Sequence, residues 1–123
     1  MSKIFRFRDF QVYKDARSFR LLLKNLSIKK FPKNEQFCLT SQLWRALDSI
    51  LLNIAEGSEK YSDIDFSRFL NTALGSLNEV VACLDVAFDD KYISDKELGE
   101  YLNMAENIYK QLKAFSSKVR KGI

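Results

Sequence analysis

An all-α protein, an antiparallel up-down-up-down four-helix bundle, is expected from this sequence. Helix breakers are scarce, with one proline and four glycines among 123 residues. Between them apolar residues recur with the 3.6-residue period of helices, and no alternating strand pattern competes. The gaps between periodic segments are roughly 3–8 residues, short enough to make consecutive helices antiparallel neighbours. The length is that of one ordinary domain, and 46% hydrophobic with 29% charged residues suits a single core. One domain over residues 1–123 is expected, with helices at about 9–28, 35–59, 63–90 and 95–119.

The first helix places Val12, Ala16, Phe19, Leu22, Leu23 and Leu26 on one arc. It ends before Pro32, which disfavours helical geometry at Phe31. The second carries the apolar stripe Leu43, Leu47, Ile50, Leu51 and Ile54, with Asn34 a candidate cap. The third has a marked start. Ser62 and Asp65 have the spacing of a capping box, in which a hydroxyl caps free amides and a carboxylate returns. Asp63 and Asp65 also suit the positive end of a helix dipole. Its stripe runs Phe66, Phe69, Leu70, Ala73, Leu74, Leu77, Val80, Val81, Leu84, Ala87, Phe88. The fourth opens on a second box, Ser94 to Glu97, and continues through Leu98, Tyr101, Leu102, Ala105, Ile108, Tyr109, Leu112, Phe115 and Val119. The last residues, SSKVRKGI, are expected to fray.

Composition narrows the chemistry. Histidine is absent, so Ser-His-Asp and Cys-His sites and the Glu-x-x-His pairs of di-iron bundles are impossible. Cys38 and Cys83 form no CxxC pair and are expected to be reduced core thiols. No metal or cofactor is expected. No apolar run approaches the roughly 20 residues of a membrane span, and MSKIFRFRDF lacks an apolar signal region. A cytoplasmic protein is expected.

The net charge of +4 is unevenly spread. Residues 1–33 hold ten Lys/Arg against two Asp, a net +8. Residues 34–61 carry −2, residues 62–110 carry −6, and residues 111–123 carry +4. The first helix is therefore the electropositive element. Arg17, Arg20 and Lys24 lie within about 60° of arc and Lys14 about 60° further on, pointing away from the core arc. With Arg6 and Arg8 they are the candidates for nucleic-acid binding. Basic residues interleaved with aromatics hold a phosphate backbone and stack on bases. Phe10, Tyr13 and Leu21 share that outer side, and Trp44 falls off the main stripe of the second helix. Large apolar side chains outside a core stripe mark an interface, so a homo-oligomer is expected.

The second helix also has an ordered polar stripe. Gln42, Arg45, Ser49, Asn53 and Glu56 step by three or four residues and share one face. Arg68 and Gly75 belong to a matching stripe on the third helix. A mid-helix glycine costs about 1 kcal/mol relative to alanine, which points to close helix approach at Gly75 and to pairing of Arg45 or Arg68 with Glu56. A hydrogen-bonded seam that sets helix register or lines an oligomer contact is expected. A catalytic role, with Glu56 as acid and Arg45 as clamp, lacks histidine, a phosphate-cradling loop and a metal constellation.

Several stretches together resemble one bacterial family. These are FRDFQVYKDA (Phe7 to Ala16), Phe31-Pro32, SQLWRALDSILLNIAEG (Ser41 to Gly57), RFLNTALGSLNEV (Arg68 to Val80) and YIS (Tyr92 to Ser94). They resemble the four-helix bundle proteins first noticed in the intervening sequence of 23S ribosomal RNA genes. Two positions depart: Tyr13, where the family usually has Trp, and Asp48, where a small apolar residue is usual. Asp48 sets a negative charge beside the polar stripe and weighs against nucleic-acid contact there. The resemblance implies a homopentamer. It also implies similarity to the accessory variability determinant of diversity-generating retroelements, a positively charged pentameric barrel that binds a reverse transcriptase and nucleic acid. The expected function is a non-enzymatic homo-oligomeric adaptor that binds RNA, DNA or a nucleic-acid enzyme through the basic first helix. The alternative is a structural or protein-interaction module without nucleic-acid binding.

Overall fold

The computed structural model describes residues 4–60 and 62–121. Four helices account for the architecture: α1 (Gln11–Lys30), α2 (Leu39–Gly57), α3 (Asp63–Asp89) and α4 (Asp95–Arg120). Short 3-10 turns occupy Arg6–Asp9 and Lys33–Glu35. There is no strand among the described residues, and no helix is long and apolar enough to cross a membrane.

The helices pack in cyclic order. α2 packs on α1 and α3, α4 on α3 and α1, and the diagonal pairs do not meet. Residue pairings give the directions. Ser27 meets Trp44 and Arg20 meets Asp48 across α1–α2. Ser49 meets Ser76 across α2–α3, and Ser67 meets Ser116 across α3–α4. Asp15 meets Gln111 across α1–α4. With Gly57 against Phe69 and Lys30 near Glu97, numbers rise on one helix as they fall on the next, so neighbours run antiparallel.

The core draws on all four helices, with Phe19, Leu23, Leu43, Leu47, Ile50, Ile54, Leu70, Leu77, Leu84, Ile108 and Leu112 fully buried. Four expected core members sit at its edge or outside it: Leu22, Phe88, Tyr109 and Cys38 are exposed. Leu22 and Tyr109 lie at the margin of an apolar arc, where a turn of the helix carries them to solvent, and Phe88 lies in the last turn of α3. Cys38 precedes α2 rather than lying inside it. Cys83 is buried, and burial pushes its thiol pKa up, which suppresses thiolate chemistry.

Helix ends show where local chemistry decides. Ser94 and Glu97 form a complete capping box, with Ser94 Oγ accepting from the Glu97 amide at 3.1 Å and Glu97 Oε1 accepting from the Ser94 amide at 2.8 Å. That amide holds the Glu97 carboxyl below its usual range. Ser62 makes only one arm, accepting from the Asp65 amide at 3.1 Å. α2 begins at Leu39, four residues after the expected start, because residues 33–35 take a tighter 3-10 turn. Asn34 does not cap it; the Glu35 carboxylate accepts from the Leu39 amide at 3.3 Å. The C-terminal stretch does not fray where expected. α4 continues to Arg120, with Ser116 and Val119 buried.

Candidate nucleic-acid interface

The outer face of α1 carries Lys14, Arg17, Arg20 and Lys24, while Arg6 and Arg8 lie on the 3-10 turn before it, and the structure divides the six. Arg8, Lys14 and Arg17 are exposed. The other three are engaged within the chain. Arg6 donates from Nη2 to the Ser58 carbonyl at 2.8 Å, and its guanidinium lies 5.5 Å from the ring centroids of both Phe10 and Phe66. Arg20 Nε meets Asp48 Oδ1 at 2.6 Å. Lys24 Nζ sits 4.1 Å from the centre of the Trp44 ring. Asp48 therefore acts on α1 rather than on the polar stripe, and offsets one of the four cations of the basic face.

Two grooves mark this surface. The first, of about 440 Å³, is lined by Lys14, Arg17, Ser18, Arg20, Leu21 and Leu51. Cations project from α1 over an apolar strip between the helices. The second, of about 570 Å³, lies at the α1-to-α2 turn and includes Phe31, Lys33, Phe37, Trp44 and Arg45. The acidic residues of segment 62–110 sit largely on α3 and α4, and α3 is diagonal to α1. α4, by contrast, adjoins α1, and Lys30 meets Glu97 across that contact at 3.8 Å.

Of the interface candidates, three are explained inside the chain. The Phe10 ring is 5.0 Å from Phe115 and 6.3 Å from Phe66. Tyr13 packs edge-on to Phe7 at 5.0 Å. Trp44 Nε1 donates to Ser27 Oγ at 2.9 Å. The 3-10 turn at Arg6–Asp9 leads into Phe10 and Tyr13 and sets them on the core edge, whereas Trp44 is held there by Ser27 near the other end of α1. Leu21 alone of the four remains open, 59% exposed.

The polar stripe also divides. Asn53 Nδ2 donates to the Ser49 carbonyl at 2.8 Å and to Ser49 Oγ at 3.0 Å, and Ser76 Oγ donates to Ser49 Oγ at 2.7 Å. These three residues tie α2 to α3. Gln42, Arg45, Glu56 and Arg68 are exposed. Arg68 pairs with Asp65 at 3.4 Å on its own helix, so the expected pairing with Glu56 does not form. Gly75 is not a site of close approach within the chain: a Cβ there would meet nothing within 4 Å. The close approach is at Gly57, where a Cβ would lie 2.7 Å from Phe69 Cβ.

Sequence reasoning missed Phe37, Lys33 and Ile28 as surface features. Phe37 is 86% exposed. Its one signal was that Phe37 falls off the apolar stripe of the second helix; that it precedes the helix follows only from the start of α2 at Leu39. Among the described residues no cluster of three or more His, Cys, Asp or Glu side chains is placed to hold a metal ion.

A family model described as 23S rRNA-intervening sequence protein matches residues 8–114. Among solved structures, the chain is similar to a crystal structure of a protein with unknown function from the S23 ribosomal protein family of Bacteroides thetaiotaomicron. Identity is 26%, with 86% of this chain and 95% of that chain covered and a TM-score of 0.78. No curated protein matches the chain.

Proposed function

The chain belongs to the 23S rRNA-intervening sequence protein family, and from that premise we propose that it is a non-enzymatic homo-oligomeric adaptor of the cytoplasm. It binds nucleic acid, or an enzyme that acts on nucleic acid, through the outer face of α1. The supporting observation is the groove in which Lys14 and Arg17 project beside Arg20, along a chain segment with a net +8. Neither the family description nor the neighbour's name indicates an enzyme. A ring of five copies, the number the family resemblance implies, would repeat that charge around one axis and reinforce the field.

RNA and DNA binding measured at several salt concentrations tests this. Phosphate contacts give a log affinity that falls linearly with log salt, by about 0.7–0.9 per phosphate neutralised. Lys14→Ala with Arg17→Ala should lower the slope by about two and weaken all sequences alike. An unchanged slope would place binding elsewhere.

A second reading is favoured by exposed Leu21, Leu52 and Ile64. These apolar side chains suit assembly and one protein partner. A module of that kind gives tight oligomers and no nucleic-acid affinity at physiological salt.

A further inference from the structure

We propose that the groove at the α1-to-α2 turn is a stacking site for the bases of single-stranded nucleic acid. The inference rests on the reading of α1 as a nucleic-acid face and names the form of nucleic acid taken.

The groove of about 570 Å³ is walled by Trp44 and floored by Phe31 and Pro32. At its rim Ile28 is 66% and Phe37 86% exposed. Phe37 follows the 3-10 turn at Lys33–Glu35 and precedes α2, outside the core cluster. It presents an aromatic face to solvent beside a concave surface, the arrangement of a binding platform.

Charge identifies the occupant. Lys33 and Arg45 line the groove, and the Lys24 ammonium is held over the Trp44 indole that walls it. Asp48 also lines the groove and Glu35 precedes its residue Gln36, and both carboxylates are engaged. Asp48 is bound to Arg20, and Glu35 accepts from the Tyr92 hydroxyl at 2.7 Å and from the Leu39 amide at 3.3 Å. Cations beside aromatic faces are what a single strand needs: phosphates on the first, bases on the second. A duplex keeps its bases stacked on one another and offers Phe37 no face.

The groove also continues toward the basic one. Asp48 lines this groove and Arg20 the basic one, and these two residues are in contact at 2.6 Å. From Lys14, which lines the basic groove, to Ile28, which lines this one, α1 rises roughly 21 Å. A strand of roughly eight nucleotides, within the range of known single-strand sites, follows that track.

Trp44 is the only tryptophan in the chain, so its fluorescence reports on the groove directly. The full-length protein is titrated with an oligothymidylate of roughly eight nucleotides, with a duplex of equal length, and with inorganic polyphosphate of equal charge. Binding is followed separately by anisotropy of labelled oligonucleotide. The oligothymidylate should quench Trp44 saturably, and the duplex and polyphosphate should leave it bright. Phe37→Ala should weaken oligothymidylate binding roughly fivefold or more with the far-ultraviolet spectrum unchanged. Quenching by polyphosphate, or full affinity in Phe37→Ala, overturns the stacking site. Binding by anisotropy with Trp44 silent removes the stacking site and leaves the basic-face reading standing. Absence of any nucleic-acid binding at low salt removes both. If Trp44 emission shifts with protein concentration and not with oligonucleotide, a second copy fills the groove, and the proposal fails.

Discussion

Gly57→Ala probes the place where α2 comes closest to α3. A Cβ at Gly57 would stand 2.7 Å from Phe69 Cβ and 3.0 Å from Phe66 Cδ1. Neither neighbour has room to yield. The Phe69 atom is the root of its side chain, and the Phe66 ring is packed against Phe115 at 5.2 Å and Phe10 at 6.3 Å. Overpacking of this kind costs about 1–3 kcal/mol. Alanine returns at most about 1 kcal/mol of helix propensity, and less at Gly57 because it ends α2. The net loss is about 1–2 kcal/mol. With a urea slope of about 1–3 kcal/mol/M, the unfolding midpoint should fall by roughly 0.3–2 M. Gly75→Ala is the matched control. It lies within α3 with nothing inside 4 Å of its Cβ, so it should gain about 0.5–1 kcal/mol. Urea unfolding should rank Gly75→Ala above wild type and wild type above Gly57→Ala. A Gly57→Ala protein as stable as wild type would refute the assignment of Gly57 as the contact point.

Three further outcomes are expected. Asp48→Ala releases Arg20 into the basic groove, so nucleic-acid affinity should rise and its salt slope steepen by about one; the stability loss, read by thermal melting, should stay within about 1 kcal/mol because the pair is partly exposed. Ser116→Ala removes the partner of the buried Ser67 hydroxyl, 2.8 Å away, and should cost about 1–3 kcal/mol in urea unfolding. Adding Ser67→Ala should cost less than the sum of the two single changes. The hydrogen bond to Glu35 pushes the Tyr92 hydroxyl up to about 12 from 10.0. A group raised in the folded state contributes fully below its unfolded value, so stability should fall as pH climbs from about 10 to about 12. Tyr92→Phe should flatten that part of the pH–stability curve; an identical fall in the variant would show that Tyr92 is not its source.

Legibility in the sequence followed the range of the interaction. Ser94 and Glu97 announce the start of α4 because the cap closes within four residues. α2 does not announce itself: its first amide is satisfied by Glu35, reached through a 3-10 turn that no periodicity marks. Leu22 and Leu23 are adjacent and equally apolar, yet only Leu23 is buried, since the edge of an arc is decided by where the neighbouring helix lies. Phe10 and Trp44 read as outward-facing because their partners, Phe66 with Phe115 and Ser27, come from other elements. The two glycines exchanged roles for a similar reason. Mid-helix position made Gly75 conspicuous, whereas only the crossing of α2 and α3 makes Gly57 necessary. On the basic face, charge was visible residue by residue. Which cations remain available was not, because Asp48, Trp44 and the Ser58 carbonyl claim theirs across the fold.

The polar ties of α1 have a dynamic consequence. α1 packs less extensively on its neighbours than α3 does on α2 and α4. Arg20–Asp48, Trp44–Ser27 and Gln111–Asp15 fasten it at intervals along its length. Local opening is cheapest where apolar burial is least, so amide exchange should begin in α1 while α3 stays protected. Of the four walls of the bundle, α1 is the one whose opening can be tuned one side chain at a time, by removing a single polar tie.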